Sequence, residues 1–321
     1  MHDILIPENV RGAAVDALAK KYRVVHAPEL WKDTPALLGT IPEFRALIVR
    51  NQTTVNAALL SAGKKLTVVG RAGIGLDNID VAAATKAGIL VTSTPDQNAI
   101  SVAEIAMGMM IALARFLPQA DRETKSGVWN RHAFTGTELY GKTLGIIAAG
   151  KIGYLTGVRA KAFGMKVVAY DPFLSRDNVL LSELQADLVE LAELMARSDF
   201  VSCHLPATQE TAGLLNAAQF RRMKPTAFFI NTARGEVVNE ADLVTALREK
   251  QLAGAALDVR AKEPPVPGEL EQMSNVLLTP HIAAFTHEAQ TRVTRTVCED
   301  VDRVLEGKPT QNAVNRIEKR G

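Results

Sequence analysis

The stretch Leu144-Gly145-Ile146-Ile147-Ala148-Ala149-Gly150-Lys151-Ile152-Gly153 decides the fold of this chain. A short β-branched run leads through small residues into a helical pattern, which is how a phosphate-binding strand–turn–helix unit reads. In such a unit the first small position makes the tight turn, the second lets a pyrophosphate approach the backbone, and the third lets helix and strand pack closely. Here those positions are Ala148, Gly150 and Gly153. A methyl group at the first is tolerable if φ stays negative there, and Gly150 and Gly153 take the more demanding places. A helix opening at Lys151 and Ile152 turns its free N–H groups toward phosphates. Asp171 stands 21 residues beyond Gly150, after the next strand-like run, Val167 to Tyr170. A carboxylate there bonds ribose hydroxyls and repels a 2′-phosphate, so the spacing favours NAD over NADP.

Outward from this unit, β-branched runs alternate with helical patterns, which predicts parallel sheets with crossover helices. One series has strands near Asp3 to Ile6, Arg23 to Val25, Ala46 to Val49, Thr67 to Val69 and Leu90 to Thr92, and stops at Pro95. The second opens at Leu144 and continues at Val167 to Tyr170, Phe200 to Cys203, Phe228 to Ile230, Ala255 to Leu257 and Val276 to Leu278. The fold class expected is α/β, with two doubly wound parallel-sheet lobes. Between the series a helix is predicted over Ser101 to Phe116, with Ser101 as N-cap and Glu104 completing a capping box. A last helical stretch runs from Glu288 to Leu305.

A chain of 321 residues exceeds the usual single core, so two domains are expected. Hydrophobic residues at 47% and charged residues at 22% exclude a disordered chain. A net charge of +2 offers no basic stripe for nucleic acid or anionic membrane. Cys203 and Cys298 are too few for a disulfide framework, and Met1 to Val10 lacks the apolar core of a signal peptide, so a cytoplasmic location is expected. The longest apolar run, Ile105 to Ala114, is about half a membrane span.

Three residues in the last third carry candidate chemistry. Arg234, Glu263 and His281 each lie just beyond a strand-like run, where open α/β sheets bind ligands. A guanidinium grips a carboxylate in a fork, and an imidazole paired with a carboxylate protonates a carbonyl oxygen as charge grows on it. That set suits a 2-keto acid. No metal-ligand pattern is read.

These residues, together with Gly70-Arg71-Ala72-Gly73-Ile74-Gly75-Leu76-Asp77-Asn78-Ile79-Asp80, Ser101-Val102-Ala103-Glu104, Gly136 to Gly145, Ala162 to Val167, Asn231 to Gly235, Ala253 to Val259 and Thr279 to Ile282, amount to a resemblance. The chain resembles the D-isomer-specific 2-hydroxyacid dehydrogenase family, and within it the catalytic part of the phosphoglycerate branch. The resemblance implies a flavodoxin-like substrate-binding domain of residues 1–98 plus 288–321 and a Rossmann-type NAD-binding domain of residues 99–287. It implies a cytoplasmic homodimer through the second domain, acting on a small 2-hydroxy or 2-keto acid. It makes Arg234, Glu263 and His281 catalytic. It assigns the cofactor to Gly150, Lys151, Ile152, Gly153, Asp171, His204, Pro206, Thr232, Ala233, Asp258 and Ala283. The Gly73-Ile74-Gly75 loop is implied to hold the substrate carboxylate on backbone N–H groups, while Arg50 and Arg71 face a second anionic group, which makes 3-phosphoglycerate the leading candidate. Hydroxypyruvate or glyoxylate reduction and a sulfolactate-type activity are the alternatives, and an NAD-binding corepressor-like protein is the non-enzymatic one. Three positions depart from the family pattern: Phe285 stands where a small serine is usual, Arg260 replaces an aromatic, and Ile105 replaces a frequent histidine. The chain ends soon after Asn315, so the regulatory domain of longer relatives is expected to be missing.

Overall fold

Strands buried along their whole length belong to parallel sheets covered on both faces, and β1, β3, β4, β9, β10 and β11 as bounded below are buried at every residue. The computed structural model describes residues 3–175 and 177–317; Met1, His2, Arg176 and residues 318–321 lie outside that set. The strands are β1 Ile4–Ile6, β2 Val24–His26, β3 Ala46–Val49, β4 Val68–Arg71, β5 Leu90–Thr92, β6 Thr143–Ile147, β7 Lys166–Tyr170, β8 Asp187–Leu188, β9 Phe200–Cys203, β10 Phe228–Asn231, β11 Gly254–Leu257 and β12 Val276–Leu278. The chain divides into two compact units, Met1–Asn98 with Thr286–Gly321, and Ala99–Phe285.

The first unit holds a parallel sheet in the order β2-β1-β3-β4-β5. The helix His287–Leu305 covers one face, and Gly70 in β4 is small because a Cβ there would stand 2.7 Å from a Val297 methyl and 2.8 Å from one of Val301. The second unit holds a parallel sheet in the order β12-β11-β10-β9-β6-β7-β8. Strand order reverses where β6 lies between β7 and β9, and such reversals open the crevice in which ligands bind. In the first unit the reversal falls at β1, between β2 and β3.

Three details differ from the sequence reading. The helix expected from Ser101 begins at Ala99, so buried Ser101 lies inside the first turn and not ahead of it. Ten of its sixteen residues are buried, which removes the need for an amphipathic start signal. The two-residue edge strand β8 was not anticipated, being too short to show a period. Ala148 has φ +69, the left-handed region, where a negative value was the condition for an alanine. That conformation costs a non-glycine residue about 1–2 kcal/mol. No single helix among the described residues is long and apolar enough to cross a membrane.

Candidate active site

The glycine-rich turn joins β6 to the helix Lys151–Ala162. Its two glycines are constrained in different ways. Gly153 is required by packing, since a Cβ there would stand 2.4 Å from the Ala148 carbonyl oxygen. Gly150 has φ −63 and would place a Cβ in open space, so nothing in the polypeptide demands its smallness. It serves as N-cap without a side-chain oxygen, which leaves the first-turn N–H groups at Lys151, Ile152 and Gly153 to an external acceptor. Asp171, just past β7, accepts from Ala149 N at 3.1 Å and from Phe173 N at 2.9 Å, which orients its carboxylate against the turn.

At the end of β9, half-buried His204 bonds Ser202 Oγ through Nε2 at 3.0 Å. Burial pushes its pKa down to about 4, so the ring is neutral near pH 7. Pro206 follows on the exposed segment and accepts from Thr211 Oγ1 through its carbonyl. Beyond β10, Asn231 shapes the next turn: Oδ1 accepts from Ala233 N and Nδ2 donates to the Arg234 carbonyl, each at 3.0 Å. Among the described residues, the Thr232 hydroxyl is buried without a hydrogen-bond partner. Arg234 Nη1 donates to the Ala233 carbonyl at 2.8 Å.

His281 Nδ1 lies 2.7 Å from Glu263 Oε2, and Glu263 Oε1 accepts from Arg260 N at 3.1 Å. Burial by itself raises the Glu263 pKa, but the bond and charge of His281, the Arg260 N–H and the charge of Arg234 together hold it below the ordinary glutamate value. A carboxylate depressed in this way stabilises the fold above its unfolded pKa, and that contribution disappears as pH falls through the lower folded value. The structure therefore brings Glu263 and His281 into contact, with Arg234 near enough to act on the carboxylate through its charge.

The His281 loop is held by a residue whose part the sequence did not reveal. Asp258, at the end of β11 and 1% exposed, accepts Thr279 Oγ1 at 2.6 Å and Ile282 N at 2.8 Å on Oδ1, and Ala283 N at 2.8 Å on Oδ2. Its carbonyl accepts His281 N at 2.8 Å. These bonds flank His281, whose φ of +54 places it in the left-handed region. Such a backbone persists where its surroundings over-determine it.

The first unit carries the expected anion-binding residues. Arg50 follows β3, and fully buried Glu8 after β1 accepts Arg50 N at 2.8 Å, Thr53 N at 3.0 Å and Gln52 N at 3.1 Å. Asn78 Nδ2 donates to the Arg50 and Thr53 carbonyls, and Arg50 Nη1 donates to Gln290 Oε1 at 2.5 Å. Burial lowers the Arg50 pKa, opposed by the charge of Glu8. Arg71 is buried, its Nη1 donating to the Ala72 carbonyl at 2.7 Å and sitting where a Cβ on Gly73 would fall. Gly73 has φ +151, and its N–H is bound by the Arg71 carbonyl, so an anion on this loop is left with the amides of Ile74 and Gly75. Glu8, Asn78 and Gln290 had no local signal; Gln290 lies 240 residues from its partner.

Residues 107–283 match the family described as D-isomer specific 2-hydroxyacid dehydrogenase, NAD binding domain. The chain belongs to this family. Over 316 residues it is 43% identical to the D-3-phosphoglycerate dehydrogenase of Synechocystis sp., covering 98% of this chain and 56% of that protein. The chain thus spans a little over half the length of the curated relatives it matches. It superposes on the TT0316 protein from Thermus thermophilus with a TM-score of 0.91 at 32% identity, covering 98% of this chain and 100% of the other. For a glyoxylate reductase from Paecilomyes thermophila the values are 0.85, 30%, 98% and 98%. In a member of this family the second unit's turn, with its uncapped helix start, the room at Gly150, oriented Asp171 and the unpartnered Thr232 hydroxyl, fits an NAD pyrophosphate and ribose. One variant separates packing from binding. Gly150→Ala is expected to change the melting free energy by no more than about 0.5 kcal/mol, since reduced unfolded-chain freedom offsets the poorer N-cap. Since the expected pyrophosphate position is the open space that this methyl would enter, NAD titration should give a Kd raised tenfold or more.

Proposed function

We propose that this chain is an NAD-dependent D-2-hydroxyacid dehydrogenase acting on a small 2-hydroxy or 2-keto acid with a second anionic group, 3-phosphoglycerate leading. The observation that carries this reading is the 2.7 Å contact of His281 with Glu263 beside the charge of Arg234. When bound, NAD(H) supplies the hydride donor or acceptor. His281 Nε2, the ring nitrogen not engaged by Glu263, gives a proton to the carbonyl oxygen in reduction and removes it from the hydroxyl in oxidation. Glu263 fixes the orientation of the ring through its contact with Nδ1. Arg234 orients the substrate carboxylate, a task for which a planar fork is better suited than an ammonium.

For cofactor contacts we assign Gly150, Lys151, Ile152, Gly153, Asp171, His204, Pro206, Thr232, Ala233, Asp258 and Ala283, with Asp171 selecting against a 2′-phosphate. Residues 1–98 with 286–321 serve substrate binding: the Gly73-Ile74-Gly75 loop takes the carboxylate, and Arg50 with Arg71 the distal anion. Support for the distal role is the buried scaffold of Glu8 and Asn78 that holds the Arg50 turn. Arg50→Ala should raise KM for phosphorylated or sulfonated substrates at least tenfold more than for glyoxylate; equal effects on both would dispose of the distal-anion role.

A homodimer through the second unit is part of the same reading, supported by exposed Leu117, Val128 and Trp129, the last 78% exposed. Two buried free cysteines suit a cytoplasmic setting. The test is NADH oxidation with a panel of 2-keto acids, in which phosphohydroxypyruvate or hydroxypyruvate is expected to turn over fastest. NAD binding with no turnover of any panel member would favour a corepressor-like binding protein instead.

A further inference from the structure

We infer that Arg260 is a positioning residue, anchoring through Glu240 and Glu271 the loop that aims Glu263 at His281. Glu263 lies in a run, residues 261–269, in which every residue is exposed, so apolar burial does not hold it. Of its two oxygens, one meets His281 and the other meets the backbone N–H of Arg260. The direction of the carboxylate therefore follows the backbone at residue 260.

That backbone is fixed from three sides. The Arg260 guanidinium forks onto Glu240, Nε to Oε1 and Nη2 to Oε2, each at 3.1 Å. Glu240 Oε1 also accepts Ala261 N at 2.7 Å, so one carboxylate clamps both the side chain and the next peptide. Glu240 opens the helix Glu240–Arg248 behind the N-cap Asn239, which gives the clamp a rigid base. Arg260 Nη1 bonds Glu271 Oε1, whose other oxygen accepts Gly268 N at 2.7 Å and ties the far end of the loop to the same cation. On the third side Gly235, adjacent to Arg234, lies against the Arg260–Ala261 peptide so closely that a Cβ would stand 2.0 Å from the Arg260 carbonyl carbon. The Arg260 side chain is 11% exposed, and a bidentate pair that well shielded is geometrically specific.

The inference rests on the dehydrogenase reading for its kinetic consequences, so the experiment carries one readout that does not. Hydrogen exchange of peptides covering residues 258–268 is compared in the full chain and in Arg260→Ala, with NAD affinity measured alongside. Exchange is expected to quicken at least tenfold in that segment alone, with the Kd for NAD within threefold. In turnover, Arg260→Ala should lower kcat about tenfold with KM within threefold, and displace the acidic limb of the kcat/KM profile because the Glu263–His281 pair is loosened. Arg260→Lys should recover only part of kcat, since an ammonium does not fork onto both Glu240 oxygens. Unchanged exchange in that segment overturns the inference, as does a fall in kcat with an unmoved pH profile. If Arg260→Ala does not fold, Glu240→Gln is read by the same measures. A wild-type chain that turns over no 2-hydroxy acid defeats the proposed function alone, and the exchange comparison still decides the anchoring.

Discussion

Replacing His281 by alanine is expected to lower kcat for 2-keto acid reduction by about 10²–10⁴-fold, the usual worth of a positioned acid or base. In free-energy terms that is about 3–5 kcal/mol of lost transition-state stabilisation. The reason is geometric: the ring's Nδ1 is committed to Glu263 at 2.7 Å, so Nε2 is the group left to exchange a proton with substrate. The variant should fold, because His281 sits on a loop and its backbone N–H keeps its bond to the Asp258 carbonyl. Its affinity for NAD should stay within about threefold. Steady-state kinetics with the best substrate of the panel decide the matter: a variant within tenfold of the parent kcat removes His281 from the proton transfer.

The second large effect is expected at Asp258, and there both stability and activity should fall. Asp258→Ala strands three donors, Thr279 Oγ1, Ile282 N and Ala283 N, at a carboxylate site that is all but closed to water. Hydrogen bonds to a charged group are each worth about 1.5–3 kcal/mol and do not add fully, so a loss of about 3 kcal/mol or more is expected in thermal or urea unfolding. Freed of those bonds, His281 relaxes from φ +54 and its ring leaves Glu263, lowering kcat at least a hundredfold. Asp258→Asn sharpens the test without changing size. Its oxygen still accepts two of the three donors, but its NH₂ faces the third, donor against donor. The asparagine variant should therefore lose most of the activity while losing less stability than alanine. Parental kcat and melting temperature in Asp258→Asn would refute the view that this carboxylate holds the His281 loop.

Legibility in the sequence followed the range of each interaction. The alternation of β-branched runs and helical patterns shows both sheets, because a buried parallel strand must be apolar throughout and its crossover helix amphipathic or buried. Strand ends then locate Asp171, Arg234 and His281 without a structure, whereas Arg50 rested on the family resemblance. The conformation of Ala148 was misjudged from sequence: a left-handed alanine is rare, and its φ is set by how the following helix docks on β6 rather than by its neighbours. Ser101 was misjudged for a similar reason, since a capping pattern inside a helix with ten of its sixteen residues buried is overridden by packing.

What the sequence by itself determined is the class of fold, the glycine-rich strand–turn–helix and the candidate trio, all of which rest on local spacing and side-chain chemistry. Tertiary structure alone decided how that chemistry is aimed. Asp258 and His281, 23 positions apart, meet because β11 and β12 lie side by side. Glu240 reaches Arg260 across 20 positions, and Gln290 reaches Arg50 across 240. These pairings leave no trace in local pattern, because a hydrogen bond a few ångströms long is indifferent to how many residues separate its ends.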